Sequence, residues 1–116
     1  MSAKSTFTIA SGGTASDFQH MGGGYRLVGL LVPTLDSTTI TFEIDEDGSA
    51  TGSLAVKTNT HAAAPAALNL GTADTGAKAV AVPEEVGRLT AVAFVRLITA
   101  AQTGGARSIV ALWEKD

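Results

Sequence analysis

Cysteine is absent from this sequence of 116 residues. Disulfide bonds, thiolate metal sites and a cysteine nucleophile are therefore excluded. No apolar run approaches the roughly 20 residues that a membrane-spanning helix needs, and the N-terminus lacks the apolar segment of a signal peptide. We expect synthesis in the cytoplasm and no association with a membrane.

Charged residues are also scarce, at 16% of the chain. Eight Lys and Arg stand against eleven Asp and Glu, and the formal net charge is −3. The basic residues are scattered singly, whereas a nucleic-acid-binding protein normally presents a basic face. Nucleic acid is therefore not an expected direct partner.

Aromatic residues are few: one Trp, one Tyr and four Phe, against 13 Gly. Hydrophobic residues still make up 45% of the chain, and a chain of this length fits one domain with a modest core. The composition predicts a single globular fold packed mainly from small and aliphatic side chains.

Short apolar segments alternate with turn residues at nearly regular intervals, a pattern typical of antiparallel sandwiches and barrels. The clearest strand is Thr38–Asp45, whose alternation places Ile40, Phe42 and Ile44 on one face, and a hairpin turn is predicted at 45–49. Tyr25–Val32 is apolar on both faces and ends at a proline, which predicts a central strand covered on both sides. About eight strands are predicted in all: Thr6–Ile9, Tyr25–Val32, Thr38–Asp45, Leu54–Asn59, Ala66–Leu70, Ala77–Val82, Ala91–Thr99 and Arg107–Trp113.

Residues 84–101 are ambiguous, because their apolar positions also approximate a helical stripe. We favour a short turn at Pro83–Gly87 followed by a strand, since Val92, Phe94, Val95 and Ile98 are strand formers. Gly87 interrupts the helical alternative.

The first 24 residues are rich in Ser, Thr and Gly, and Phe7, Ile9, Phe18 and Met21 are their large apolar side chains. We interpret residues 1–24 as an extended N-terminal arm or first edge strand, and residues 25–116 as the β-sandwich domain. An arm that pairs with the edge of a neighbouring sheet gains main-chain hydrogen bonds and places alternate side chains in pockets. These four residues are the candidate partner-binding residues.

No residue pattern indicates a catalytic site. His20 and His61 lie in predicted loops with no nucleophile motif around them, so a small hydrolase is the weakest hypothesis. Asp45 and Asp47 suggest a cation site, but their spacing does not fit a calcium-binding helical loop and a plain hairpin turn explains them better. No metal or other cofactor is predicted.

Two aromatic residues offer a different kind of site. Tyr25 and Trp113 are able to stack on a sugar, as aromatic side chains do in carbohydrate-binding sandwiches. Packing in the core or at its rim is the competing interpretation of Trp113. We assign Arg96, which lies between Phe94 and Ile98 on one strand face, a structural role.

Several segments together resemble one family, the small virion proteins of tailed phages. They are the apolar strand that ends at a proline (25–33), the alternating strand with its acidic Asp-Gly turn (39–48), the Phe-Val-Arg-Leu strand (94–99), Gln102 and the closing apolar strand (108–113). The resemblance covers 25–113. The Phe-Val-Arg-Leu strand also occurs in discoidin-like sugar-binding sandwiches.

The resemblance implies a jelly-roll β-sandwich without enzymatic activity. It further implies a capsid decoration, or cement, protein that forms homotrimers on the capsid exterior, is made in the host cytoplasm and binds the major capsid protein. A carbohydrate-binding module of a head or tail fibre is the alternative.

Overall fold

The structure, a computed structural model, describes residues 2–36, 39–49, 52–56, 69–70 and 76–115. Within these residues the chain forms seven strands and one short helix. In chain order they are β1 (Ser2–Ile9), β2 (Tyr25–Val32), β3 (Thr41–Asp45), β4 (Leu54–Ala55), β5 (Lys78–Ala81), α1 (Glu84–Thr90), β6 (Phe94–Ile98) and β7 (Arg107–Lys115).

The strands form two antiparallel sheets. The larger sheet has the strand order β1-β7-β2-β5, and the smaller has the order β4-β3-β6. Every pair of neighbouring strands is antiparallel. The predicted all-β fold is thereby confirmed, and β2 occupies the central position expected of it. Its predicted coverage on both sides is wrong, because Leu31 on the outer face is 43% exposed.

The inner faces of the two sheets enclose one core, as a sandwich requires. The predicted alternation of β3 is confirmed, because Phe42 and the preceding Ile40 are buried. Trp113 is fully buried, and its indole Nε1–H donates to Ser5 Oγ at 2.8 Å. The largest fully buried side chains come from both sheets: Trp113, Phe7, Phe42, Ile9, Leu27, Leu30, Ile40, Leu97 and Ile109.

A bulge in β2 decides which of its residues face the core. The register against β7 shifts between Leu27 and Gly29, so one residue of β2 has no partner there. Side chains alternate along a regular strand, and positions three apart would then face opposite sides. Because the bulge adds a residue, both Leu27 and Leu30 point inward, and Gly29 and Leu31 take the outer face.

Of the two interpretations of residues 1–24, an extended arm or a first edge strand, the structure shows the edge strand over Ser2–Ile9. β1 pairs with β7 along its whole length, from Ser2 opposite Glu114 to Ile9 opposite Arg107. Phe7 is fully buried in the same core as the rest of the chain. The segment therefore belongs to the body of the sandwich, because its alternate apolar side chains complete the chain's own core.

Residues 12–19 connect the two sheets on the β1 side. Their backbone pairs with β6, where Ser16 N–H donates to Leu97 C=O and Gln19 N–H donates to Val95 C=O. Their side chains face β1: Asp17 Oδ1 accepts the Thr8 N–H at 3.1 Å, and Gln19 Nε2 donates to the Thr6 C=O. The side chains of residues 12–19 thus cover part of the outer edge of β1, which would otherwise be open to pairing with a neighbouring chain.

The turn predicted at Pro83–Gly87 is wrong, because Glu84–Thr90 forms α1. Two glutamates follow Pro83 in the first turn, and Val86 is buried against the core. Gly87 is what brings the helix close to β2, since a Cβ there would lie 2.9 Å from the Leu27 carbonyl oxygen. The predicted strand that follows is confirmed as β6.

The strand predicted at Ala66–Leu70 lies mostly outside the described residues. Its last two residues contact the start of the smaller sheet: Asn69 Oδ1 accepts the Ile40 N–H at 2.9 Å, and Leu70 N–H donates to the Ile40 C=O at 2.8 Å. The C-terminal part of the strand predicted at Leu54–Asn59 also lies outside.

Candidate functional site

The outer face of the larger sheet carries a compact group of apolar residues. The registers place Leu112 beside Gly29, and Val110 beside Leu31, on the side away from the core. β5 continues both rows. The set, called here the apolar block, consists of Gly29, Leu31, Ala79, Ala81, Val110 and Leu112.

Apart from Gly29, which is buried, the residues of the apolar block lie at the surface. Leu31 is 43% exposed, both alanines are exposed, and Val110 and Leu112 are half-buried. The outer face of an antiparallel sheet normally carries polar side chains. A contiguous apolar group at such a place is typical of an interaction surface.

The apolar block has a tall column and a short column on either side of β2. Val110 and Leu112 form the tall column on β7, and Leu112 leans over Gly29, where a Cβ would lie 3.5 Å from its Cδ1. Ala79 and Ala81 form the short column on β5. The outer face is therefore a ridge beside a shallow trough.

Polar residues frame the apolar block on the β1 side and at one end. Lys4, Thr6 and Thr8 lie on the outer face of β1, opposite Leu112, Val110 and Ser108 respectively. Arg26 and Glu114 lie opposite each other in the strand register, beyond the end of the block. Of the six members of the block, none is charged.

The outer face of the smaller sheet is built differently. Arg96 donates from Nε and Nη2 to Glu43 Oε1, at 2.8 and 2.6 Å, and its guanidinium carbon lies 4.6 Å from the centre of the Phe18 ring. Ser53 Oγ donates to the same Glu43 oxygen at 3.2 Å. This group, called here the Arg96 cluster, satisfies its charges within the chain and supports the structural role predicted for Arg96.

The four predicted partner-binding residues do not share one surface. Phe7 and Ile9 are in the core, Phe18 lies beneath Arg96, and Met21 is 38% exposed. The four residues therefore do not form one binding surface in the fold. The apolar block was not predicted from the sequence. The signal for it was that β2 and β7 carry apolar residues on both faces.

The two histidines have separate outcomes. His20 packs its ring against Phe94, with centroids 5.3 Å apart, and its Nδ1 lies 3.2 Å from the Thr90 C=O. His61 lies outside the described residues. The surroundings of His20 are those of a packed loop residue.

The acidic turn is held by its own backbone. Asp45 Oδ2 and Asp47 Oδ1 both accept the Ser49 N–H, at 2.7 and 3.0 Å. Hydrogen bonds from the Ser49 hydroxyl and N–H lower the pKa of Asp47. No cluster of three or more potential metal-ligating side chains occurs in the described ranges.

The two aromatic candidates for sugar stacking also differ from expectation. Trp113 is fully buried and so offers no face to a ligand, while Tyr25 is half-buried at the start of β2. Burial of Trp113 follows from its place opposite Leu27, on the inner side of the sheet.

No family model, curated protein or solved structure matches this chain. Among the described residues, no helix has the length and apolar character needed to cross a membrane.

Proposed function

We propose that this chain is a structural protein of a tailed-phage virion, a decoration protein that binds the major capsid protein on the capsid exterior as a homotrimer. The observation that carries the proposal is the apolar block, because a contiguous apolar group exposed on a sheet face is typical of an interaction surface. The resemblance of residues 25–113 to small virion proteins supports the same conclusion.

The strand order supports a jelly roll as the fold behind this function. The larger sheet runs β1-β7-β2-β5, and residues 15–19 bridge to β6, which adds a short segment beside β6-β3-β4. The chain then passes from one four-segment layer to the other at every connection except the one between β3 and β4, as in two interlocked Greek keys. The sandwich presents broad sheet faces, which suit contacts spread across the boundaries between subunits.

A carbohydrate-binding module is the alternative function. Trp113 is in the core, so Tyr25 is the remaining aromatic candidate for stacking on a sugar, beside the polar residues of the loops. A glycan array is its direct test: specific binding that is lost on Tyr25→Ala would favour this alternative.

The proposed function is tested by co-sedimentation with empty phage shells. Saturable binding, with a protein mass near three chains by light scattering, is the expected result. A chain that stays in the supernatant at every shell concentration would overturn the proposal. Serum albumin serves as the control for material trapped in the pellet.

A further inference from the structure

We infer that the apolar block is a self-association interface, in which the ridge of one copy of this chain packs into the trough of another. This inference rests on the proposed function in treating the block as an assembly surface, and it names the occupant. Val110 and Leu112 form the ridge, and Ala79 and Ala81 form the trough.

The shapes of the two columns favour a second copy. Each chain carries one ridge and one trough, separated by β2. A rotation axis that runs parallel to β2, in front of the outer face, therefore brings the ridge of each copy over the trough of another. The same match closes around a two-fold or a three-fold axis, so no column is left without a partner in the closed assembly.

The charges of the face are compatible with self-pairing. The apolar block contains no charged residue, so two copies meet there without like-charge repulsion despite the net charge of −3. Charges of both signs lie at the margin of the block: Lys4 on β1, Arg26 on β2 and Glu114 on β7. Such a margin corresponds to the polar rim of protein interfaces.

The available area sets the expected strength. From the spacing and rise of β-strands, the outer face of the larger sheet covers about 450 Å². A stable complex buries about 800 Å² per partner. Association through this face alone is therefore expected to be reversible and dependent on concentration.

Sedimentation velocity over a wide range of protein concentration tests the inference. The unmodified chain is expected to shift from one chain to two or three as concentration rises. Leu31→Lys places a charge in the centre of the block and is expected to weaken association by about tenfold or more. Val92→Lys is the matched control, because Val92 is 78% exposed, more than any other large apolar side chain in the described part of the chain, and lies outside the block.

A second variant separates specific packing from general stickiness. Ala79→Leu fills the trough with an exposed apolar side chain, so ridge-and-trough packing predicts weaker association. A merely sticky surface would associate more strongly. Circular dichroism confirms folding of each variant, and if Leu31→Lys does not fold, Ala79→Leu alone decides.

The outcomes distinguish this inference from the proposed function. A chain that remains monomeric at every concentration, or that loses association on Val92→Lys and keeps it on Leu31→Lys, overturns the inference. Shell binding by such a chain would keep the capsid-binding part of the proposed function, and a chain that stays monomeric would lose the homotrimer part. Conversely, a chain that associates through the block and ignores shells would retain the inference and lose the proposed function.

Discussion

The outer faces of the two sheets differ in how far the chain's own side chains cover them. On the smaller sheet, Arg96, Glu43 and Phe18 contact one another, and residues 12–19 run along the edge of β6. On the larger sheet, the outer face presents the apolar block, and Leu31 remains 43% exposed. One face is covered by its own chain, whereas the other leaves apolar area exposed.

This difference shows which surfaces of a small sandwich are free to differ in chemistry. The inner faces of both sheets serve the core, so only the outer faces are free to differ. An ion pair stacked on an aromatic ring fixes a surface without exposing apolar area. An uncharged, uneven apolar surface leaves burial as the driving force for binding.

The largest effect is expected at the hairpin that follows β3 in the smaller sheet. Gly48 has φ of 74°, and a Cβ there would lie 2.9 Å from the Phe94 ring. Gly48→Ala is expected to lower the free energy of unfolding by about 2–3 kcal/mol, from backbone strain and displacement of the ring. Urea denaturation measures the loss.

Gly52 provides the matched control for this substitution. It also has a positive φ, of 81°, but a Cβ there meets nothing within 4 Å. Gly52→Ala is therefore expected to cost only about 1 kcal/mol. Equal losses at the two glycines would show that Phe94 does not press on the turn.

A smaller loss is expected when the Arg96 cluster is broken. Arg96→Ala removes two hydrogen bonds to Glu43 and the contact with Phe18, and is expected to cost about 1–2 kcal/mol. Arg88→Ala breaks an exposed pair with Glu84 on α1 and is expected to cost at most about 0.5 kcal/mol. Thermal melts of both variants rank the two pairs, and a larger loss at Arg88 would contradict the assignment.

A substitution in the apolar block is expected to change binding of a hydrophobic dye more than the free energy of unfolding. Leu31→Thr keeps a strand-forming residue on an exposed face, so the free energy of unfolding is expected to change by less than about 0.5 kcal/mol. Fluorescence of a hydrophobic dye should fall in this variant and less in Val92→Thr. Unchanged dye fluorescence would show that the block is not an accessible apolar surface.

The smallest effect concerns acid stability, with one carboxylate beside each sheet. The Gly104 N–H, with help from Arg107, lowers the pKa of Asp36, and the Ser49 hydroxyl and N–H lower that of Asp47. A carboxyl group whose pKa is lower in the folded state stabilises the fold at pH values above its ordinary pKa. This contribution disappears as pH falls through the folded-state value, below about pH 4.

Asp36→Asn and Asp47→Asn should each flatten the fall of the melting temperature below about pH 4 and leave the profile at neutral pH parallel to that of the unmodified chain. Melting temperatures recorded across this range provide the measurement. A variant whose acid profile coincides with the unmodified one would show that its carboxylate is not held by these bonds.

The sequence predicted the strands well where alternation or double-sided burial was strong. β2, β3 and β7 follow from the order of apolar residues alone, because two-residue periodicity is a local property. The helix was missed because Gly87 argues locally against a helix, while in the fold it permits close contact with Leu27. Helix propensity was overridden by packing between elements distant in sequence.

The candidate site was harder to predict, because it depends on register. Leu31 and Val110 were visible as apolar residues, but only the pairing of β2 with β7 places them side by side. The bulge between Leu27 and Gly29 then decides which face they occupy. The buried state of Phe7 was likewise set by β1 joining the same sheet, a contact more than a hundred positions away along the chain.

The position of β7 has a consequence for how the protein is made. β7 lies between β1 and β2, so the first strand has no sheet neighbour until residues 107–115 have left the ribosome. Until then, the apolar side chains of β1 lack the sheet neighbour that helps to bury them. Pairing between strands so far apart in sequence is slow. A ribosome that stalls before Arg107 would leave a chain without the middle of its larger sheet, so translation through the last strand acts as the step that commits the chain to fold.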